Sequence, residues 1–279
     1  MELIDFDGLF DEKLAIYMEE NKNKYTEKQW EDVIPRLYKK FGDTYVAKVK
    51  CTPKEYYARM SDNELADTLQ AHLQEDVPVP EFLCNEIENR GNIACLLPLL
   101  ESDDLQTVSY AINLILDNES AYDAYFALLL NEDMEGDVRD DIADIFKHNA
   151  DKVCARVLAI YKENRAKEYM LEILSRVKSS RNDEIFEILL SEFRAADENM
   201  PMRASYLAAY GDERALPYLM ARIEDRTIGF VEFQELKYAI EALGGEYNEP
   251  RDFSADKDYL AIEAATSSFS VAESDSVKS

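Results

Sequence analysis

The stretch NEDMEGDVRDDI, residues 131–142, sets oxygen-bearing side chains at the spacing of a calcium loop. Asn131, Asp133 and Glu135 stand at loop positions one, three and five, Gly136 at six and apolar Val138 at eight. Position twelve needs a bidentate Glu and holds Ile142, which also falls on the apolar face of the helix expected next. With two coordinating oxygens missing, the stretch reads as an acidic loop between helices. Asp140 and Asp144 lie four apart on one helix face, a spacing that suits a shared cation; without one they repel, and they read as a solvated acidic face. Cys51, Cys84, Cys95 and Cys154 have no CxxC spacing, and His72 and His148 are the only histidines, so sequence-local ligands assemble no zinc site. Four buried, reduced thiols are expected. Both histidines fall near helix C-termini, where the helix dipole favours them. There is no G-x-S-x-G, no HExxH and no phosphate-binding Gly loop. The expectation is a chain with no catalytic residue, metal or cofactor.

Such side chains need elements to hold them, and composition says which. Only 8 Gly and 8 Pro punctuate 279 residues, too few turns for a sandwich or barrel. Abundant Ala, Leu, Glu and Lys make the chain all-α. The formal charge of −27 disfavours nucleic acid, whose phosphates need clustered Lys and Arg, and disfavours an anionic membrane surface. No apolar run approaches the ~18 residues of a membrane span. The start, MELIDFDGLFDEK, puts acids where a secretory leader has bases, so a cytoplasmic protein is expected.

Before residue 90, three capping boxes mark helix starts: Thr26 with Gln29, Thr52 with Glu55, and Ser61 with Glu64. They predict helices over 9–20, 27–41, 53–60 and 62–75, and after VPVP at 77–80 another over 81–90. Trp30 shares an apolar stripe with Val33, Ile34, Leu37 and Phe41, which predicts core packing. From Gly91 a long period appears. The triplet Leu96, Leu99, Leu100 recurs as Phe126, Leu129, Leu130; Val157, Ile160, Tyr161; Phe186, Leu189, Leu190; and Leu216, Leu219, Met220. Successive copies are offset by 30, 31, 29 and 30 residues. Between copies lie second helices: TVSYAINLIL, DVRDDIADIF, KEYMLEILSRV, PMRASYLAAYG and ELKYAIEALGG. A pair of helices cannot cover its own apolar face, so the pairs must stack as an α-solenoid.

GDERALPYLMARIED, with Gly211, Asp212, Ala215, Pro217 and Leu219, followed by LKYAIEALGG, resembles the short HEAT-like repeats of bacterial proteins, including those of phycobilin lyases. In that family the first helix reads Gly-Asp-x-x-Ala-x-Pro-x-Leu and the second Val-Arg-x-x-Ala-x-x-Ala-Leu-Gly. Met202-Arg203 through Gly211 and Val138-Arg139 with Ala143 are similar to the second half, and Leu97-Pro98-Leu99 to the first. The resemblance covers residues 91–245. The third unit lacks the Pro and the Val-Arg pair, and the N-terminal segment does not match. The resemblance implies a superhelix of about five HEAT-like pairs. It also opens two enzyme alternatives, a DNA-alkylation glycosylase and a bilin lyase; the charge speaks against the first, and no particular side chain marks a pigment site.

The expected organisation is an N-terminal helical module at 1–90, the repeats at 91–245, and a short helix with a disordered tail at 246–279. Residues 91–150 hold 2 basic and 13 acidic side chains, whereas 151–211 hold 10 of each. This asymmetry suggests a docking face for a basic segment of a protein partner. On the second helices Tyr110, Asn113, Asp137, Asp140, Asp144, Arg203, Lys237 and Glu241 are expected to be exposed and to bind it. A monomeric, non-catalytic interaction scaffold is the functional expectation.

Overall fold

The first backbone donors of a helix need acceptors, and in the N-terminal stretch neighbouring side chains supply them. In the computed structural model, which describes residues 3–196 and 199–265, α1 (Phe6–Glu20) opens on Asp5, whose carboxylate accepts the Gly8 N–H at 2.7 Å. α2 (Glu27–Phe41), α3 (Pro53–Ala58) and α4 (Asp62–Gln74) open on the three reciprocal caps the sequence announces. α5 (Glu81–Arg90) stops at Gly91, whose φ of 61° lies in the left-handed region. Then follow α6 (Leu105–Ile115), α7 (Tyr122–Leu129), α8 (Gly136–His148), α9 (Ala150–Lys162), α10 (Lys167–Leu174), α11 (Asp183–Ala195), α12 (Met200–Tyr210), α13 (Leu216–Ile223) and α14 (Phe230–Ala242). Residues 257–265 are helical as well. Among the described residues there is no strand, only an isolated bridge between Val46 and Cys51. The fold class is all-α. The tail expected at 266–279 lies outside the described residues.

One expected α-helix is replaced. Around Leu96, Leu99 and Leu100 the chain forms two 3-10 segments, Ile93–Cys95 and Leu97–Glu101. Pro98 has no N–H to continue an α-helical ladder from the preceding turn, and the extended Ser102 ends the segment at once. The three leucines are nonetheless buried. The thiols also depart from expectation: all four are free, but only Cys51 and Cys154 are buried, Cys84 and Cys95 being half-buried.

The chain divides into two compact units, Met1–Ile142 and Ala143–Ser279, and the division falls within α8. In the first unit α1 packs on α2, α3 and α4 on α5, and α4 and α5 on α6; the Leu97–Glu101 segment touches both α6 and α7. Phe6, Tyr57, Leu65, Leu69, Leu83, Val108 and Tyr125 form its fully buried centre. Burying one such side chain contributes roughly 1.5–3 kcal/mol. Trp30 is buried between Tyr17 and Tyr25, with ring centroids 6.2 and 4.9 Å away, which is the core role its stripe predicts.

In the second unit α9 packs on α10, α11 on α12 and α13 on α14, while α10 meets α12 and α12 meets α14. Val157, Ile160, Phe186, Leu189, Leu190 and Leu219 of the periodic triplets are buried there. Hydrogen bonds join positions about one period apart. Asp151 accepts the backbone N–H of Lys178 at 3.1 Å and of Ser180 at 2.7 Å. The Tyr210 hydroxyl donates to the Asn182 carbonyl at 3.1 Å and accepts the Asn182 N–H at 3.0 Å. Arg181 donates to the Gly211 carbonyl, Arg214 to Asp183, and the Tyr161 hydroxyl to Glu192. The sequence separations run from 27 to 31 residues. The same distance along the chain recurs in the first unit, where Arg90 donates to the Met60 carbonyl and Asn92 to Asp62, each 30 residues away.

The last pair is closed by the segment that follows it. Phe253 and Tyr259 set their rings against Phe230, and Tyr247 and Phe253 against Phe233, with centroids 5.1–5.9 Å apart. Arg251 donates to the carbonyls of Ile223 and Asp225, and Asp256 accepts the Phe230 N–H at 3.2 Å, satisfying a donor at the start of α14.

Candidate functional site

The residues singled out by sequence are scattered, and their environments differ. The calcium-like stretch is an Asx turn running into α8: the Asn131 side-chain oxygen accepts the Asp133 N–H at 3.1 Å, and Ile142 is fully buried. On α8, Val138, Ile142, Ala143 and Phe146 are buried, whereas Asp137, Asp140, Asp141 and Asp144 are exposed. Asp144 pairs with Lys147, which also reaches Glu172 on α10 at 2.7 Å. Asn113 on α6 and Glu241 on α14 are exposed, and Tyr110 and Lys237 are half-buried. Lys237 and Glu241 approach within 3.9 Å of each other.

Arg203 corrects the expectation of exposure: its relative exposure is 5%. One guanidinium nitrogen donates to Glu168 on α10 at 2.6 Å, and the plane lies 5.5 Å from the Tyr206 ring. Nη1 has no hydrogen-bond partner. The pair ties α12 to α10 through a buried guanidinium and a half-exposed carboxylate, so Arg203 does not belong to an outward face.

His72 is a second departure. It sits in the last turn of α4, as expected, but it is fully buried, and neither ring nitrogen has a hydrogen-bond partner. A favourable dipole does not offset a missing partner, since an orphaned buried polar group costs about 1–3 kcal/mol. His72 borders a small cavity of about 160 Å³ shared with Asp76, Gln106 and Tyr110. Asp76 there adopts a left-handed φ of 53°, and Val77 returns its N–H to the His72 carbonyl at 2.9 Å. His148 behaves as a plain helix end, its Nδ1 lying 2.8 Å from the Asp144 carbonyl oxygen.

A deep cleft lies where the sequence drew no attention. α2, α3 and α5 enclose a cleft of about 800 Å³ whose floor includes Phe10, Ile34, Pro35, Tyr38 and Phe82. Tyr38 stacks flat on Phe82, with centroids 4.6 Å apart and planes 6° apart. Its hydroxyl donates to Asp7 at 2.5 Å. Burial raises the Asp7 carboxyl above the usual carboxylate range, and the Tyr38 bond opposes that shift. Burial and then the neighbouring Asp7 push the Tyr38 hydroxyl upward as well. The pair is a structural strut behind the cleft that holds Tyr38 in place. The signal available in the sequence was Pro35 within α2, an exposed residue that breaks the helical donor series beside an apolar stripe.

Among the described residues, no group of three or more His, Cys, Asp and Glu is placed to hold a metal ion, and no helix is long and apolar enough to cross a membrane. In comparisons with family models, with curated proteins and with solved structures, nothing matches this chain.

Proposed function

We propose that this chain is a protein-binding scaffold without catalytic activity: an α-solenoid of about five HEAT-like helix pairs, with an N-terminal helical module, acting in the cytoplasm as a monomer. The observation that carries this reading is the set of hydrogen bonds about one period apart in Ala143–Ser279, which tie the loops and helices of neighbouring pairs together. Pairs joined in this way use their apolar faces and their loops on each other, and the outward positions of the second helices are left for a partner. On α8 the exposed acids include Asp137, Asp140 and Asp144, the last of which also pairs with Lys147, and together they make a surface suited to a basic protein segment.

The test is fluorescence anisotropy of a labelled Lys- and Arg-rich peptide titrated with the full chain. Replacing Asp137, Asp140 and Asp144 by Asn is expected to weaken binding about tenfold, given about 0.5 kcal/mol for each exposed charge pair. Raising the salt should weaken it further. Unchanged affinity of the triple variant would remove this face from consideration.

A further inference from the structure

In a chain with 58 acidic and 31 basic residues, one segment of the first unit runs the other way. Between Arg36 and Lys54 there are six basic side chains and one acidic one, Asp43. Asp43 is taken by Lys54 at 2.8 Å. Arg36, Lys39, Lys40 and Lys50 are exposed and have no ion pair among the described residues.

Arg36, Lys39 and Lys40 belong to the exposed ridge of α2, and an apolar depression flanks that ridge on each side. The 800 Å³ cleft takes Ile34, Pro35 and Tyr38 from α2, and Lys39 stands on its rim. A second cleft of about 170 Å³, between α1 and α2, takes Leu37 and Phe41 from α2 with Lys40 on its rim. The acids around the larger cleft are already engaged. Glu55 accepts the Thr52 N–H at 3.1 Å, Glu86 pairs with Arg90 at 2.7 Å, and Glu81 accepts from the Asn85 amide at 3.3 Å. The three carboxylates that line the larger cleft are therefore engaged within the protein, whereas the ridge cations are not.

We propose that the α2 ridge and its two clefts form a docking surface for an acidic, amphipathic protein segment, with apolar side chains entering the clefts and carboxylates meeting Arg36, Lys39 and Lys40. The surface is distinct from the acidic face of α8 and takes a partner of opposite charge. Its shape selects protein over the other polyanions. A membrane is entered by protruding apolar side chains, and these are depressions, which receive side chains from a partner. A nucleic-acid backbone would meet the cations but place nothing in the clefts, and the charge of the rest of the chain would repel it.

The probe is a labelled helical peptide of about 15 residues with Leu and Phe on one face and Glu on the other. It is titrated with the full chain, next to phosphatidylserine vesicles and a single-stranded oligonucleotide. The expected result is saturable peptide binding that weakens at least tenfold in Arg36→Gln/Lys39→Gln/Lys40→Gln, whose substituted side chains are exposed so that the helix signal stays unchanged. Ile34→Ser should also weaken it, and replacing the peptide's Leu and Phe by Ser should abolish it. The Asp137→Asn/Asp140→Asn/Asp144→Asn chain should bind this peptide as the natural chain does, which separates the two surfaces. No binding, equal affinity of the α2 triple variant, or tighter binding to the vesicles or the oligonucleotide would overturn the proposal.

Discussion

Tyr210→Phe isolates a single oxygen. The ring is 1% exposed, lies 5.4 Å below the Arg181 guanidinium, and keeps its packing in the variant. The hydroxyl serves both backbone groups of Asn182, donating to the carbonyl at 3.1 Å and accepting the N–H at 3.0 Å. Removing it creates no cavity larger than an oxygen and deletes two hydrogen bonds; the Asn182 N–H is left without a partner, while the carbonyl keeps the Phe186 N–H at 3.2 Å. At about 1 kcal/mol net for each bond the loss is about 2 kcal/mol, falling toward 1 if water reaches Asn182. For a unit of this size that is a fall in Tm of roughly 4–10 °C. Urea titration followed by circular dichroism reads the free energy, and amide hydrogen exchange at Asn182 locates it. A Tm within a degree of the natural chain and unchanged protection of that amide would refute the claim that this hydroxyl ties α12 to the loop before α11.

Two further outcomes follow from the same geometry. The Asp212 carboxyl is held below its ordinary value by hydrogen bonds from the Arg214 guanidinium, and then by the Arg214 N–H. Its stabilisation is therefore complete above the unfolded carboxylate pKa and is lost as pH falls through the lower folded value, below about pH 4. Asp212→Asn should flatten that part of an acid-unfolding curve, and an identical acid limb in both chains would contradict the assignment. His72→Leu should cost little or raise stability by about 1–2 kcal/mol, because it removes two orphaned nitrogens from a buried site; a loss above about 2 kcal/mol in urea titration would mean that the imidazole is partnered.

Local signals carried most of what the sequence made legible. A capping box lies within four residues, so Thr26, Thr52 and Ser61 marked helix starts to the residue. The apolar triplets worked for a similar reason, since burial of Leu189 or Val157 needs only the face of one helix. What escaped depended on distant partners. Arg203 is buried because Glu168, 35 residues earlier, neutralises it, and no local pattern encodes that pairing. His72 looked like a helix-end histidine because its burial is set by tertiary packing. The α2 cleft was missed because its lining comes from four helices across residues 10–89, while net charge averaged away the basic ridge beside it.

The segment from Tyr247 to Tyr259 bears on how such a chain can lengthen. Its rings occupy the apolar side of α14 that would otherwise be open, and Arg251 holds it to the carbonyls of Ile223 and Asp225. A helix pair duplicated after α14 would find its seat already filled. Under the proposed repeat architecture, new pairs would enter upstream of α13, with α13, α14 and the segment packed on them kept together. A chain cut before Arg251 would keep α13 and α14 and lose the contacts that Arg251, Phe253 and Asp256 make with Ile223, Asp225, Phe230 and Phe233.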